Sequence, residues 1–187
     1  VSAAASPEGA ELTLTDITPL SKALVRASPT AGAAALLACP FGESRRQGDG
    51  ALVLGTGPDE WLVLAPAGTR PAIAERVAAE GGEPGELVSV VDVTHGGFLL
   101  RLSGRQAARV LEKVCALDFS DRATPNGKVQ RSSVARLVCD IARDDLGTTL
   151  SYLLHGDRSA GRYFFDALLD AGTEFSIGVG AYPDKEI

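Results

Sequence analysis

The feature that most constrains the fold of this chain is a recurrence at a spacing of 90 residues. A shift of 90 lays Leu62–Pro66 on Tyr152–Gly156, Thr69 on Ser159 and Gly82 on Gly172. An apolar strand, a helix N-cap, a helix and a glycine terminator follow one another in the same order in both copies. The match lies in physical roles more than in identities, with chance as the competing explanation. A hairpin–helix–strand unit used twice predicts two α+β lobes packed edge to edge.

The elements on either side of this repeat are read from pattern. Leu12–Ile17 alternates like a short edge strand, and Ser2–Glu8 reads as a loose arm. Leu20–Ala27 reads as one or two helical turns. Ala33–Cys39 fits a buried strand, with a helix segment as the alternative. Ala51–Thr56 and Glu60–Ala65 flank Gly57-Pro58-Asp59, which is turn chemistry. Thr69 and Pro71 open a helix that runs to about Glu80, buries Ile73 and Val77, and stops at Gly81-Gly82. Leu87–Val93 is a β-branched strand. Phe98–Leu102 is followed by a helix that Ser103 caps, with Ala107, Val110, Leu111, Val114 and Cys115 on one face. Strands near Val134–Ile141 and Leu150–His155 come next. A helix capped by Ser159 and a strand at Phe175–Val179 complete the order β-α-β-β-α-β. The expected class is α+β, with two related βαββαβ-like lobes and mixed or antiparallel sheets. Residues 1–50 form an arm and the start of the first lobe, 51–95 the rest of it and 96–187 the second, one compact unit overall.

Composition removes several function classes. Hydrophobic residues make up 45% of the 187 and charged residues 22%, which suits a packed domain. The net charge of −6 supplies no basic field for nucleic acid. No apolar run approaches the ~20 residues that a membrane helix needs, and Val1-Ser2-Ala3 does not open a secretory leader. Cys39, Cys115 and Cys139 have no zinc or disulfide spacing, so reduced thiols in a cytoplasmic protein are expected. Acidic residues outnumber basic ones before residue 100, and the balance reverses over 101–162. Arg101, Arg105, Arg109, Arg122, Arg131 and Arg136 therefore suggest a docking face, against the plainer alternative of scattered solvated arginines.

The residue types that carry chemistry do not assemble into a site. His95 lies in the turn Thr94-His95-Gly96-Gly97, and His155 ends a strand; neither has a ligand partner at the right spacing. No Gly-x-Ser-x-Gly elbow occurs, and Cys115 and Cys139 fall in apolar surroundings. Gly55-Thr56-Gly57 precedes a strand rather than a helix, so it reads as a hairpin and not as a phosphate loop. Asp144-Asp145-Leu146-Gly147 reads as a hairpin turn. Asp140 falls inside a strand and needs a partner, Arg101 or Arg136, or else a ligand. No catalytic, cofactor-binding or metal-binding residue is expected on this chain.

Specific strings carry a resemblance. Val91-Asp92-Val93-Thr94-His95, Phe98-Leu99-Leu100-Arg101-Leu102-Ser103-Gly104, Ala107-Ala108-Arg109-Val110-Leu111 and Cys115-Ala116-Leu117-Asp118 occur in this order. With Gly57-Pro58-Asp59-Glu60-Trp61-Leu62, they resemble the gamma subunit of heterotetrameric sarcosine oxidases over about residues 50–180. The helix entry and the aspartate in a strand are similar to the wider folate-binding aminomethyltransferase group. The resemblance implies a folate-module fold of two lobes, in a complex that oxidatively demethylates sarcosine to glycine with O2 and tetrahydrofolate. It implies that FAD, FMN, NAD and tetrahydrofolate belong to the alpha and beta subunits and zinc to the delta subunit, leaving the gamma chain structural. Two departures separate the chain from the transferases. Arg136-Leu137-Val138-Cys139 precedes Asp140 where glycines are expected, and the chain is too short for their later parts. A free-standing folate-binding protein or one-carbon transferase is the alternative. An iron–sulfur maintenance factor ranks last, because the chain has no Lys-Gly-Cys.

Overall fold

The computed structural model describes residues 12–28, 31–69, 72–80 and 86–182. The expected arm at Ser2–Glu8, Pro71 and the stop at Gly81-Gly82 lie outside them. In chain order the elements begin with β1 (Leu12–Asp16), β2 (Ser21–Ala27), α1 (Gly32–Leu37), β3 (Ser44–Arg46) and β4 (Leu52–Gly57). They continue with β5 (Glu60–Ala65), α2 (Ala72–Glu80), β6 (Val88–Asp92), β7 (Gly97–Gly104) and α3 (Ala107–Val114). The last are β8 (Val129–Val134), β9 (Leu137–Arg143), β10 (Ser151–Asp157), α4 (Gly161–Gly172) and β11 (Gly178–Gly180). Two units emerge: one built on Pro19–His95, the other on the residues up to Thr18 with those from Gly96 to the end of β11.

The Pro19–His95 unit is a five-stranded antiparallel sheet in the order β3-β4-β5-β2-β6. One sheet face, with Ala23, Val25, Val53, Trp61 and Val63, packs against Ala33 and Leu37 of α1 and Ile73 and Val77 of α2. The Trp61 indole N–H donates to Cys39 O at 2.7 Å, so the one large ring in this core leaves no polar atom unpaired. The apolar run after Ala31 is a helix, because its consecutive alanines favour helix over strand. Leu20–Ala27, expected as helical turns, is mostly strand β2, held between two neighbours and buried along most of its length.

The other unit is a six-stranded sheet, β11-β1-β7-β10-β9-β8, antiparallel except for β1 with β11. Helices α3 and α4 cover one face, placing Val110, Leu111, Phe164 and Leu168 over Leu12, Leu14, Leu100, Leu102 and Leu154. Each such side chain contributes about 1.5–3 kcal/mol on burial. β1 is not the edge strand that its shortness suggests: it lies between β7 and β11, and Leu12 and Leu14 are fully buried.

The α+β class with two related lobes is what the structure has. Each lobe carries one strand more than βαββαβ: β2-α1-β3-β4-β5-α2-β6 matches β7-α3-β8-β9-β10-α4-β11. The repeat pairs β5 with β10 and α2 with α4. In the second lobe the extra strand arises within Val134–Ile141, whose pattern reads as one strand. The chain instead reverses at Ala135-Arg136, with φ of 47° and 71°, as a two-residue turn between β8 and β9. The caps also differ from expectation. Ser103 lies in β7, and the Asp157 side chain, not Ser159, caps the turn that leads into α4 by accepting from Ser159 N–H.

Candidate functional site

Strands β8, β9 and β10 bring three chemically active side chains into one cross-strand row. The register sets Arg131 opposite Asp140 and Asp140 opposite His155. Asp140 accepts from Arg131 Nε at 2.6 Å and from Nη2 at 3.3 Å. His155 Nδ1 stands 3.3 Å from the other Asp140 contact oxygen, Oδ2. The Asp140 residue is 9% exposed. Burial pushes its carboxyl up, but hydrogen bonds from His155 and Arg131, with the Arg131 charge, outweigh this and hold it below its ordinary value. The partner of Asp140 is thus Arg131, not Arg101 or Arg136.

An ionised carboxylate only accepts, so His155 donates to it from Nδ1, and Nε2 is the ring atom left for any chemistry. A general base here would have to work through that atom. Its surroundings do not suit the role. Nε2 is buried and has no hydrogen-bond partner. It faces Gly97 so closely that an added Cβ there would collide with it. No serine, threonine or cysteine hydroxyl or thiol is bonded to it, and no solvent reaches it. The trio clamps three strands together.

The other candidates are dispersed. Arg101 is buried and donates to Asp144 Oδ2 at 2.8 Å, Asp144 O at 3.1 Å and Ser151 Oγ at 2.7 Å. Arg143 bonds Asp145, Asp121 and Thr124 O, pinning the loop between β8 and α3 to the β9–β10 hairpin. The Asp144–Gly147 segment therefore opens a hairpin as expected, closed by Leu146 and Thr149, with both aspartates used internally. Gly55-Thr56-Gly57 leads into the β4–β5 hairpin. His95 is exposed in its turn. Cys39, Cys115 and Cys139 are free and buried, and burial raises the Cys39 and Cys139 thiols. Among the described residues no group of three His, Cys, Asp or Glu is placed to hold a metal. No helix among them is long and apolar enough to cross a membrane.

The six arginines differ in their surroundings, and Arg101 is buried and cannot belong to a docking face. Arg101 and Arg131 are paired with acids, Arg109 sits 5.0 Å over the Phe175 ring, and Arg105, Arg122 and Arg136 are exposed. Sequence reasoning passed over the Asp140–His155 pair, although a signal for it existed. A two-residue turn at Gly147-Thr148 sets Asp140 directly opposite His155.

Comparison with known proteins places this geometry. The family model described as "Sarcosine oxidase, gamma subunit family" matches residues 43–174. A sarcosine oxidase subunit gamma of Arthrobacter sp. is 37% identical over 165 residues, covering 81% of this chain and 75% of that protein. The subunit gamma of Corynebacterium sp. strain P-1 is 42% identical over 107 residues, covering 53% of this chain and 51% of that one. Among solved structures, a chain of heterotetrameric sarcosine oxidase from Corynebacterium sp. U-96 aligns with a TM-score of 0.77 at 28% identity. It covers 92% of this chain and 90% of that one. The aminomethyltransferase T of the Bartonella henselae glycine cleavage system shares the fold, with a TM-score of 0.67 at 17% identity over 91% of this chain and 48% of its own length. A two-lobed folate-module fold whose acid–imidazole pair is sealed, with a family match over its readable length, leads to one assignment: the chain belongs to the sarcosine oxidase gamma subunit family.

Proposed function

We propose that this chain is a non-catalytic structural subunit of a sarcosine oxidase that oxidatively demethylates sarcosine to glycine with O2 and tetrahydrofolate. Its partners are the alpha, beta and delta subunits, which hold FAD, FMN, NAD, tetrahydrofolate and zinc. It works in the cytoplasm, a reading that its three free thiols support. The observation that carries the proposal is the closed state of Asp140 and His155. The carboxylate is spent on Arg131, and the imidazole nitrogen that a substrate would need is buried against Gly97. A fold shared with a transferase does not by itself transfer the chemistry.

Co-expression with the neighbouring subunits, followed by affinity purification and mass spectrometry, tests the proposal. The chain is expected to co-purify in stoichiometric amount with the flavin-bearing subunits. A chain that stays behind, and that alone binds tetrahydrofolate at micromolar concentration in calorimetry with the binding abolished in Asp140→Asn, overturns the proposal in favour of a free-standing folate protein.

A further inference from the structure

The two sheets end differently at corresponding places. Read from β3 and from β8, their orders match strand for strand, so β6 beside β2 corresponds to β1 beside β7. β1 is flanked on its far side by β11, which runs parallel to it through Thr13↔Gly178, Leu14↔Val179 and Thr15↔Gly180. β6 is the last strand of its sheet, and no described residue takes the place that β11 fills.

The open backbone has a defined pattern. Ser28 N–H donates to Leu87 O, and Val93 N–H donates to Lys22 O. With Arg26 opposite Ser89 and Leu24 opposite Val91, antiparallel alternation turns the N–H and C=O of Leu87, Ser89 and Val91 toward β2. Those of Val88 and Val90 therefore point out of the sheet. The flanking side chains are apolar and open: Leu87 is 61% exposed and Val91 49%. Val88 and Val90 lean on the core under α2. The run Leu87-Val88-Ser89-Val90-Val91 has no lysine, proline or inward charge, the devices that ordinarily blunt a free edge.

We propose that β6 is a docking edge that takes an extended segment of a partner subunit as a sixth strand of the Pro19–His95 sheet. The inference rests on the reading of the chain as an assembly subunit. Outward N–H and C=O groups in strand geometry are matched by another backbone, and the apolar flanks select apolar side chains at alternate positions of the incoming strand. The equivalent edge in the other unit is closed by only Gly178-Val179-Gly180, so a short segment suffices. The solved relative is a heterotetramer, an assembly that brings unlike chains together, which makes another subunit the occupant.

Hydrogen–deuterium exchange resolved to single amides, on the purified chain and on the co-expressed complex, tests this. The Val88 and Val90 amides are expected to exchange at least tenfold more slowly in the complex, while those of Ser89 and Val91, already bonded to β2, change far less. Val90→Pro removes one outward N–H and keeps both neighbouring inward pairs. It is expected to lower recovery of the chain in the complex at least tenfold with its circular dichroism unchanged. Should that variant misfold, Val91→Lys charges the exposed flank without touching the backbone and is expected to lower recovery likewise. Equal exchange at Val88 and Val90 in both samples, or full recovery of the folded variants, overturns the proposal while leaving subunit membership intact. Protection in the concentrated chain alone, lost on dilution, overturns the partner assignment in favour of a second copy. Failure of the wild-type chain to co-purify defeats the underlying reading and this one with it.

Discussion

Asp140→Ala separates a strand clamp from a ligand-binding carboxylate. The substitution removes the acceptor from Arg131 at 2.6 Å and from His155 Nδ1 at 3.3 Å. The two donors respond differently. The Arg131 side chain is 46% exposed and turns to water, so its half of the pair is worth about 0–1 kcal/mol. The His155 side chain is 17% exposed, and its Nδ1–H is left unsatisfied beside a Nε2 that already lacks a partner. That costs about 1–3 kcal/mol. A total of about 1–4 kcal/mol lowers the melting temperature by roughly 2–16 °C in a domain of this size. The pH dependence has a definite sign. The Asp140 carboxyl is depressed in the folded state, so its contribution is complete above the unfolded value of ~3.9 and is lost as pH falls through the folded one. Urea titrations of wild type and variant should therefore differ fully at pH 7, and the gap should begin to narrow only below about pH 4. A loss below about 1 °C, or a gap that narrows already above about pH 5, refutes the clamp. Full stability and assembly with loss of oxidase turnover refutes it in the other direction, by showing that Asp140 meets a ligand.

Three further substitutions probe the same framework. Replacing Ala135-Arg136 by Asn-Gly supplies the residues that prefer the positive φ of this turn, and is expected to raise the free energy of unfolding in urea by about 1 kcal/mol; an unchanged value counts against strain there. Arg101→Ala removes the buried guanidinium that bonds Asp144 and Ser151 and should cost about 3–5 kcal/mol in denaturant titration, whereas a loss under 1 kcal/mol means that water reaches the pair. Gly97→Ala drives a methyl into the His155 ring and is expected to cost about 1–3 kcal/mol, partly restored by adding His155→Ala; no restoration places the clash elsewhere.

Whether a part of this structure was legible depended on the range of the signal. The repeat was readable because β5 with α2 and β10 with α4 carry local cues: alternation, a cap and a terminating glycine. The β9–β10 hairpin was readable because Asp144-Asp145-Leu146-Gly147 is turn chemistry, but its reversal lies at Gly147-Thr148, and only that placement sets Asp140 opposite His155. The β8–β9 hairpin was hidden, since Ala-Arg is a poor I′ turn and gives no break between two apolar strand ends. With that turn unseen, Arg131 could not be set opposite Asp140, and Arg101 and Arg136 stood as its candidates. The helix at Gly32–Leu37 was ambiguous because six apolar residues fit a buried strand as well. The buried position of β1 was beyond local reading. It depends on pairing with β7, some 90 residues later, and with β11.

The position of β1 has a consequence in time. Pro19–His95 is contiguous, so all of its sheet partners have left the ribosome once β6 has emerged, and it can close on its own. The sheet that contains β1 cannot do so. Leu12–Asp16 must stay unpaired while the whole inserted unit is synthesised, and it meets β7 only when Gly97–Gly104 appears. Its other edge waits for Gly178–Gly180. At roughly 5–20 residues per second, that leaves an apolar strand exposed for several seconds. The early β1 is thus the strand that waits longest for its partners, and the lobe it completes is the last to mature.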